Sequence, residues 1–327
     1  MLMSSTAIIL AAGKSTRMKS RKPKPLHEIC GRPMLEYIIR ACFGAGCTKV
    51  IIVVGYGKEE VISQFGQDKR IAFVEQTQQL GTGHAVRVCE EELKQVHGDV
   101  FILAGDVPLI RADVLRTLLK AHHDDHAHAS MATAIVEDPT GYGRVVRDAS
   151  GDFIAIREQI DCTPEEREIR EVFPSYYCVK ANELIWALHQ LKNDNKKGEY
   201  YLTDIFEHLR STGRRVLALQ AVTQEDVMAP NSRQELALAD AVMQERIQRQ
   251  HRDNGVGINS PANVYIEDGA SIGPDTIIRP FTFIGRDASI GADCAIGPFA
   301  LVPREAIVPE GTSIAGTVDV DAAMPKP

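Results

Sequence analysis

The densest set of groups suited to chemistry lies within the first 27 residues of this 327-residue chain. Lys14, Arg17, Lys19, Arg21, Lys22 and Lys24 follow directly on Leu10, Ala11, Ala12 and Gly13. Residues 6–10 form a short apolar run, the right length for a buried strand. A strand opening into small residues leaves backbone N–H groups that no sheet will pair. Phosphate oxygens are good partners for them, and the run of cations sets the sign of the ligand. Gly13 lets the backbone approach a ligand closely, and Ala11 and Ala12 leave room for a flat base beside the strand end. A βα turn that merely happens to be basic would share these residue types, but the coincidence of small residues with cations favours a phosphate.

Later stretches add groups of other kinds. Gln76, Gln79, Gly81 and Thr82 lie in Q-T-Q-Q-L-G-T-G-H-A, directly after another apolar run. Amide side chains carry a donor and an acceptor together, as a uracil edge requires, and Gly81 and Thr82 add a backbone N–H and a hydroxyl at a helix start. Thr82 is equally a cap for that helix, and both readings can hold. Asp106, in Ala104-Gly105-Asp106, stands just past a fourth apolar run, where a carboxylate can hold a divalent cation over phosphates. Gly141-Tyr142-Gly143 brings backbone near a ligand. By themselves, Glu158 reads as a strand-end charge and Asn231 as the N-cap of a long helix. His122 and His126 share a helical face and invite a metal reading, but amid the charge around His123 and His128 they read as a solvated helix end.

The elements that must position these groups alternate. Pro33 opens a helix with Leu35, Ile38, Ile39 and Cys42 at helical spacing. A strand over 50–54, a helix over 58–65, a strand over 71–74, a helix over 85–96 and a strand over 100–103 follow. Strands are also expected around Val145 and Ile154. Apolar strands alternating with helices imply an α/β fold: a doubly wound, mostly parallel, Rossmann-like sheet whose ligands lie outside the carboxyl ends of its strands. A polar-faced helix over 232–253 reads as a linker. Beyond it Ile266, Ile272, Ile278, Ile284, Ile290, Ile296, Val302, Val308 and Ile314 recur every six residues without a slip. Four residues after each of the first eight stands Ala270, Thr276, Thr282, Ala288, Cys294, Ala300, Ala306 or Thr312, small enough for a tight corner. That register predicts a short left-handed parallel β-helix of about three coils. The expected domains are 1–230, a linker helix at 231–258, the β-helix at 259–321 and a tail at 322–327.

A net charge of −7 argues against general nucleic-acid binding, which makes the basic loop a local feature. The seven cysteines are scattered without C-x-x-C spacing, as suits reduced thiols in a cytoplasm and neither a disulfide framework nor a zinc site. The start has no cationic leader region, and its apolar run is too short to span a membrane. The expectation is a cytoplasmic protein with no nucleic-acid or membrane partner.

L-A-A-G-x-x-T-R-M followed by P-K resembles the signature loop of the sugar-1-phosphate nucleotidyltransferases, with Ser15 where many members have glycine. Q-x-x-Q-L-G-T-G-H-A and D-P-T-G-Y-G-R resemble most closely the uridylyltransferase domain of the bifunctional N-acetylglucosamine-1-phosphate uridylyltransferase/glucosamine-1-phosphate acetyltransferases. The resemblance implies transfer of UMP from UTP to N-acetylglucosamine 1-phosphate with release of pyrophosphate. Arg17 and Lys24 would be catalytic. Leu10, Ala11, Ala12, Gly13, Gln76, Gln79, Gly81 and Thr82 would bind the nucleotide, and Asp106 and Asn231 would hold Mg²⁺. Gly143 and Glu158 would meet the sugar. Phe173 stands where the family has an asparagine that contacts the sugar, and offers a stacking face or a filled gap instead. The stretch G-E-Y-Y-L-T-D at 198–204 again follows the family. No histidine falls within the repeats, so acetyl transfer is not expected and the β-helix reads as a structural element resembling those that form homotrimers. A transferase for another sugar, such as a glucose-1-phosphate thymidylyltransferase, and a non-catalytic regulatory subunit are the alternatives. The second would be expected to have lost Arg17, Lys24 or Asp106, and all three are present.

Overall fold

The computed structural model describes residues 5–316; the expected tail at 322–327, and the end of the repeat range at 317–321, lie outside them. The chain divides into two compact units. One takes the residues up to His27 together with Met34–Ser232, and the other takes Glu28–Pro33 and the residues from Arg233 onward. The helix read as a linker therefore belongs to the second unit.

In chain order the strands are β1 (Ser5–Leu10), the hairpin pair β2 (Glu28–Ile29) and β3 (Arg32–Pro33), β4 (Cys47–Val54), β5 (Ile71–Glu75), β6 (Asp99–Ala104), β7 (Ala129–Ile135), β8 (Gly143–Arg147), β9 (Phe153–Arg157), β10 (Glu171–Lys180) and β11 (Val216–Gln220). The helices are α1 (Met34–Gly44), α2 (Lys58–Phe65), α3 (Thr82–Arg87), α4 (Glu90–Leu93), α5 (Ala112–Asp124), α6 (Pro164–Arg167), α7 (Ala181–Leu188), α8 (Asp204–Ser211) and α9 (Arg233–Asp253).

In the first unit the sheet runs β11-β7-β10-β6-β1-β4-β5, with β8 and β9 branching from β10. Parallel pairing sets Ile8 opposite Ile51 on one side and Ile102 on the other. Ile8, Ile51 and Ile102 enter one apolar core while Ile9, Ile52 and Leu103 enter the other. Burial on both faces is why these strands are continuous apolar runs. β10 is antiparallel to both β6 and β7. The helix expected over 85–96 is instead two short ones. α3 stops at Arg87, and Glu90, Glu91 and Glu92 begin a new first turn, where negative charge is favoured.

One expectation is corrected at the end of α5. His122 is fully buried, not solvated. Its Nδ1 lies 2.7 Å from the Ser130 hydroxyl, and its Nε2 lies 3.3 Å from Asp99. His123 Nε2 meets the other oxygen of the same carboxylate at 2.6 Å. Helical periodicity placed these side chains on faces, but the start of β6 passing beside them is a tertiary fact. Among the described residues no group of three or more metal-ligating side chains forms.

The second unit is the left-handed β-helix. Val264 pairs with Thr282, Ser271 with Ser289 and Ile277 with Ala295, so each coil consumes three hexads. Ile266, Ile278, Ile284, Ile296 and Val302 are fully buried, and the small residues from Thr276 to Ala306 lie at buried corners. The residue before each of those corners (Asp275, Phe281, Asp287, Asp293, Phe299 and Glu305) has positive φ. Strand Val264–Ile266 pairs with Thr282–Ile284 on one edge only. Its other edge meets α9. Gln244 donates to Ile266 O at 2.6 Å and accepts from Ile266 N at 3.1 Å, while Gln248 donates to Val264 O at 2.8 Å. The hairpin β2–β3 joins this unit through the Cys30 N–H, which donates to Asp240 on α9, and through Arg32, which pairs with Asp268. No helix among the described residues is long and apolar enough to cross a membrane.

Candidate active site

β1 ends where the chain must turn between two neighbours, and both neighbours are stripped of side chains there. A Cβ at Gly55 would lie 2.7 Å from Ala12 O, and one at Gly105 would lie 2.7 Å from Leu10 O. Leu10, Ala11, Ala12 and Gly13 thereby form one wall of a cavity of about 370 Å³, which also takes in Lys24, Gln76, Gln79, Gly81, Thr82, Gly105 and Asp106. A Cβ at Gly13 would meet nothing within 4 Å, so this backbone faces open space. The strand-end position is where an open α/β sheet binds ligands.

Two cations converge on one amide oxygen. Lys24 is carried by a short turn after Pro23 and is 11% exposed; its ammonium pairs with Asp106 and donates to Asn231 Oδ1 at 2.8 Å. Arg17 donates to the same oxygen at 2.8 Å. The Asn231 nitrogen donates to Ala229 O at 2.7 Å, which turns the amide oxygen toward the cations. A carboxylate and an amide oxygen thus converge on one positive charge. Such a pair suits a small hard divalent cation whose remaining positions are filled by phosphate oxygens and water.

Amides line the same cavity. Gln76 Nε2 donates to Gly81 O at 3.2 Å and lies 3.1 Å from His84 Nδ1, and Gln79 donates to Ala12 O at 2.9 Å. Gly81 has φ +105°, and a Cβ there would come within 2.6 Å of Tyr200 O, so only glycine fits. The Thr82 hydroxyl does not cap α3; it accepts from Leu202 N–H at 3.0 Å. The cap reading loses because the N-cap position falls on Gly81 and Thr82 is already the first residue of the helix.

A second cavity of about 500 Å³ is lined by Glu158, Asp161, Tyr201, Asp204 and Glu207 among others. Gly143 belongs beside it: a Cβ there would stand 4.0 Å from Glu158 Oε1. Thr203 donates to that oxygen at 3.4 Å. Burial raises the Glu158 carboxyl above its usual range, and burial with Glu207 and Glu158 nearby pushes Asp204 up to about 6. The Gly141–Gly143 turn is braced from below by Arg144, which is 1% exposed. Arg144 donates to Tyr142 O and, at 2.6 Å, to Gln159 Oε1, which also accepts from Gly141 N–H.

Phe173, expected to meet the sugar, turns into the core. It is 4% exposed, with its ring edge-on to Tyr177 at 4.6 Å and to Phe206 at 6.1 Å. It fills core space and offers no stacking face to a ligand. The cavity at the strand ends also includes Ser175, Tyr177 and Glu199, which sequence reasoning did not single out. Ser175 holds φ +66° where the β10–β7 register shifts, and no local signal announces that bulge.

Comparison with known proteins follows the same outline. The family model for the MobA-like NTP transferase domain matches residues 7–257. "Bifunctional protein GlmU" of Geobacillus sp. (strain WCH70) is 43% identical over 278 residues, covering 85% of this chain and 60% of that protein. "Bifunctional protein GlmU" of Clostridium perfringens (strain SM101 / Type A) is 42% identical over 280 residues, covering 85% and 61%. The chain thus spans about 60% of the length of these curated relatives. A crystal structure of UDP-glucose pyrophosphorylase complexed with UDP-glucose shares the fold, with a TM-score of 0.62 at 19% identity over 75% of this chain and 100% of that one. With its match running from β1 to the end of α9, the chain belongs to the MobA-like NTP transferases and is a nucleotidyltransferase.

Proposed function

We propose that the enzyme transfers UMP from UTP to N-acetylglucosamine 1-phosphate, giving UDP-N-acetylglucosamine and pyrophosphate. The observation that carries this reading is the convergence of Lys24, Arg17, Asp106 and Asn231, two of which, Lys24 and Asp106, line the same strand-end cavity as Gln76, Gln79 and Gly81. The cations suit a triphosphate and the amides a pyrimidine. The sugar phosphate oxygen attacks the α-phosphorus in line, a bond forms to it, and the bond to pyrophosphate breaks. The chain need supply no nucleophile, because positioning and charge neutralisation suffice. Arg17 holds the triphosphate, and Lys24 counters the charge growing at the α-phosphate. Asp106 and Asn231 would hold Mg²⁺, which when bound screens the phosphate oxygens. Glu158 and the Gly143 N–H serve the sugar from the second cavity.

The family match over residues 7–257 supports nucleotidyl transfer as the reaction class. The test is pyrophosphate release over a panel of nucleoside triphosphates and sugar 1-phosphates with and without divalent metal. UTP with N-acetylglucosamine 1-phosphate and Mg²⁺ should give the highest kcat/KM; a clear preference for a sugar lacking the acetamido group would overturn the acceptor assignment. We also propose a homotrimer formed through the β-helix. Phe281 and Phe299, 58% and 68% exposed, stack at 5.1 Å on its surface, and Ile277 and Leu301 are also exposed. Light scattering measures the mass directly, and a monomer at micromolar concentration would remove this part.

A further inference from the structure

We infer that His84 is a positioning residue that sets the base preference of the pocket, by locking the Gln76 amide so that only its oxygen is offered to the nucleotide. The inference rests on the reading of Gln76 as the group that meets the base. A carboxamide has a donor end and an acceptor end, and which one faces a ligand decides what it recognises. Here the orientation is forced by chemistry. The Gly81 carbonyl can only accept, so the Gln76 atom 3.2 Å from it must be Nε2. The other hydrogen of that nitrogen is directed at His84 Nδ1, 3.1 Å away, which accepts it when the imidazole carries its proton on Nε2.

Both amide hydrogens are then used inside the protein. Gln76 is 6% exposed and lines the cavity, and its Oε1 takes no donor from the described residues. What remains for the ligand is an acceptor. Uracil presents N3–H and satisfies it. Cytosine presents a bare N3, so acceptor would face acceptor, and the amide cannot turn over without giving up both internal hydrogen bonds. A 5-methyl group leaves N3–H in place, so this lock separates uracil from cytosine and is blind to thymine.

His84 acts through Gln76 and need not touch the nucleotide. His84→Leu removes the second acceptor and leaves the amide held by Gly81 alone. The ratio of kcat/KM for UTP over CTP should fall about tenfold, through the nucleotide KM and with the sugar phosphate KM unchanged. His84→Asn, whose Oδ1 can stand where Nδ1 stood, should restore the ratio to within about threefold of wild type. His84→Ala carries the same test if the leucine variant does not fold, and dissociation constants for UTP and CTP give the ratio without turnover. An unchanged ratio in the folded leucine or alanine variant overturns the inference, as does an asparagine variant that melts like wild type yet fails to restore it. Gln76→Ala separates the two levels. If it leaves the ratio intact, the base-reading role of Gln76 is wrong. If it collapses the ratio while His84→Leu does not, only the role of His84 falls.

Discussion

The two ends of β6 each carry an aspartate, and the fold treats them in opposite ways. Asp99, at the start of the strand, is 4% exposed and held by two histidines. Asp106, just past its end, has a side chain 30% exposed and is held by a lysine that also reaches Asn231. Burial pushes the Asp99 carboxyl up, but the hydrogen bonds from His122 and His123 more than offset it, so its proton leaves more readily than usual. A carboxylate held by one buried and one half-exposed imidazole is a structural fastener. One that meets an ammonium in the lining of a cavity can exchange that partner for a ligand's charge. The difference lies in access and in the choice of partner, since the residue type and the strand are the same.

The largest expected effect separates these roles by rate. Lys24→Ala should lower turnover by about two to three orders of magnitude while leaving the melting temperature close to wild type. Turnover within a few-fold of wild type would put Lys24 outside the mechanism and blur the contrast between the two ends. At the other end the loss should appear in stability. Asp99→Ala leaves buried His122 without its carboxylate and should cost about 2–4 kcal/mol, with kcat/KM unchanged in the folded enzyme. Because the folded carboxyl is depressed, its contribution is full above the ordinary carboxylate range and is lost as pH falls through the folded value. Denaturant titrations of both proteins should therefore converge in acid; a constant gap would contradict the ionised pairing.

A third carboxylate sharpens the comparison, because no strong partner compensates its burial. Asp204 is raised from 3.8 to about 6 by burial first and by Glu207 and Glu158 next. A raised acid favours the folded state only while protonated, so the penalty is absent below the ordinary carboxylate range, grows as pH rises toward 6, and stays constant above. Asp204→Asn should accordingly stabilise the protein by about 1 kcal/mol at pH ~8, allowing for partial exposure, and by nothing below pH ~4. An equal gain at both pH values would show that the effect is not ionisation.

Much of the architecture was legible because it is written in short-range patterns. Strands covered on both faces read as unbroken apolar runs, and the hexads hold one phase from Ile266 to Ile314. Lys24, Asp106 and Asn231 are far apart in sequence, and the fold brings all three side chains together. What escaped depends on which element packs over which. His122 looked solvated because helical spacing does not reveal the start of β6 beside it. Glu28–Pro33 joins the second unit through Asp240, on a helix some two hundred residues downstream, a pairing no local window contains. Ser175 and Tyr177 reach the cavity because β10 returns antiparallel beside β6, and Phe173 packs inward against Tyr177 on the same strand and Phe206 on α8.

The glutamines of α9 have a consequence for colloidal behaviour. A parallel β-helix is a stack whose terminal coil ordinarily exposes a row of peptide groups, a ready template for strands from other molecules. A carboxamide repeats the donor and acceptor of a peptide unit on a side chain. Placed one helical turn apart, Gln244 and Gln248 act as a surrogate last strand over Val264–Ile266. They differ from a real strand in presenting no further unpaired row behind them. Growth by strand addition is therefore terminated at this edge, and the helix can carry a regular, fibre-like repeat without seeding a fibre there.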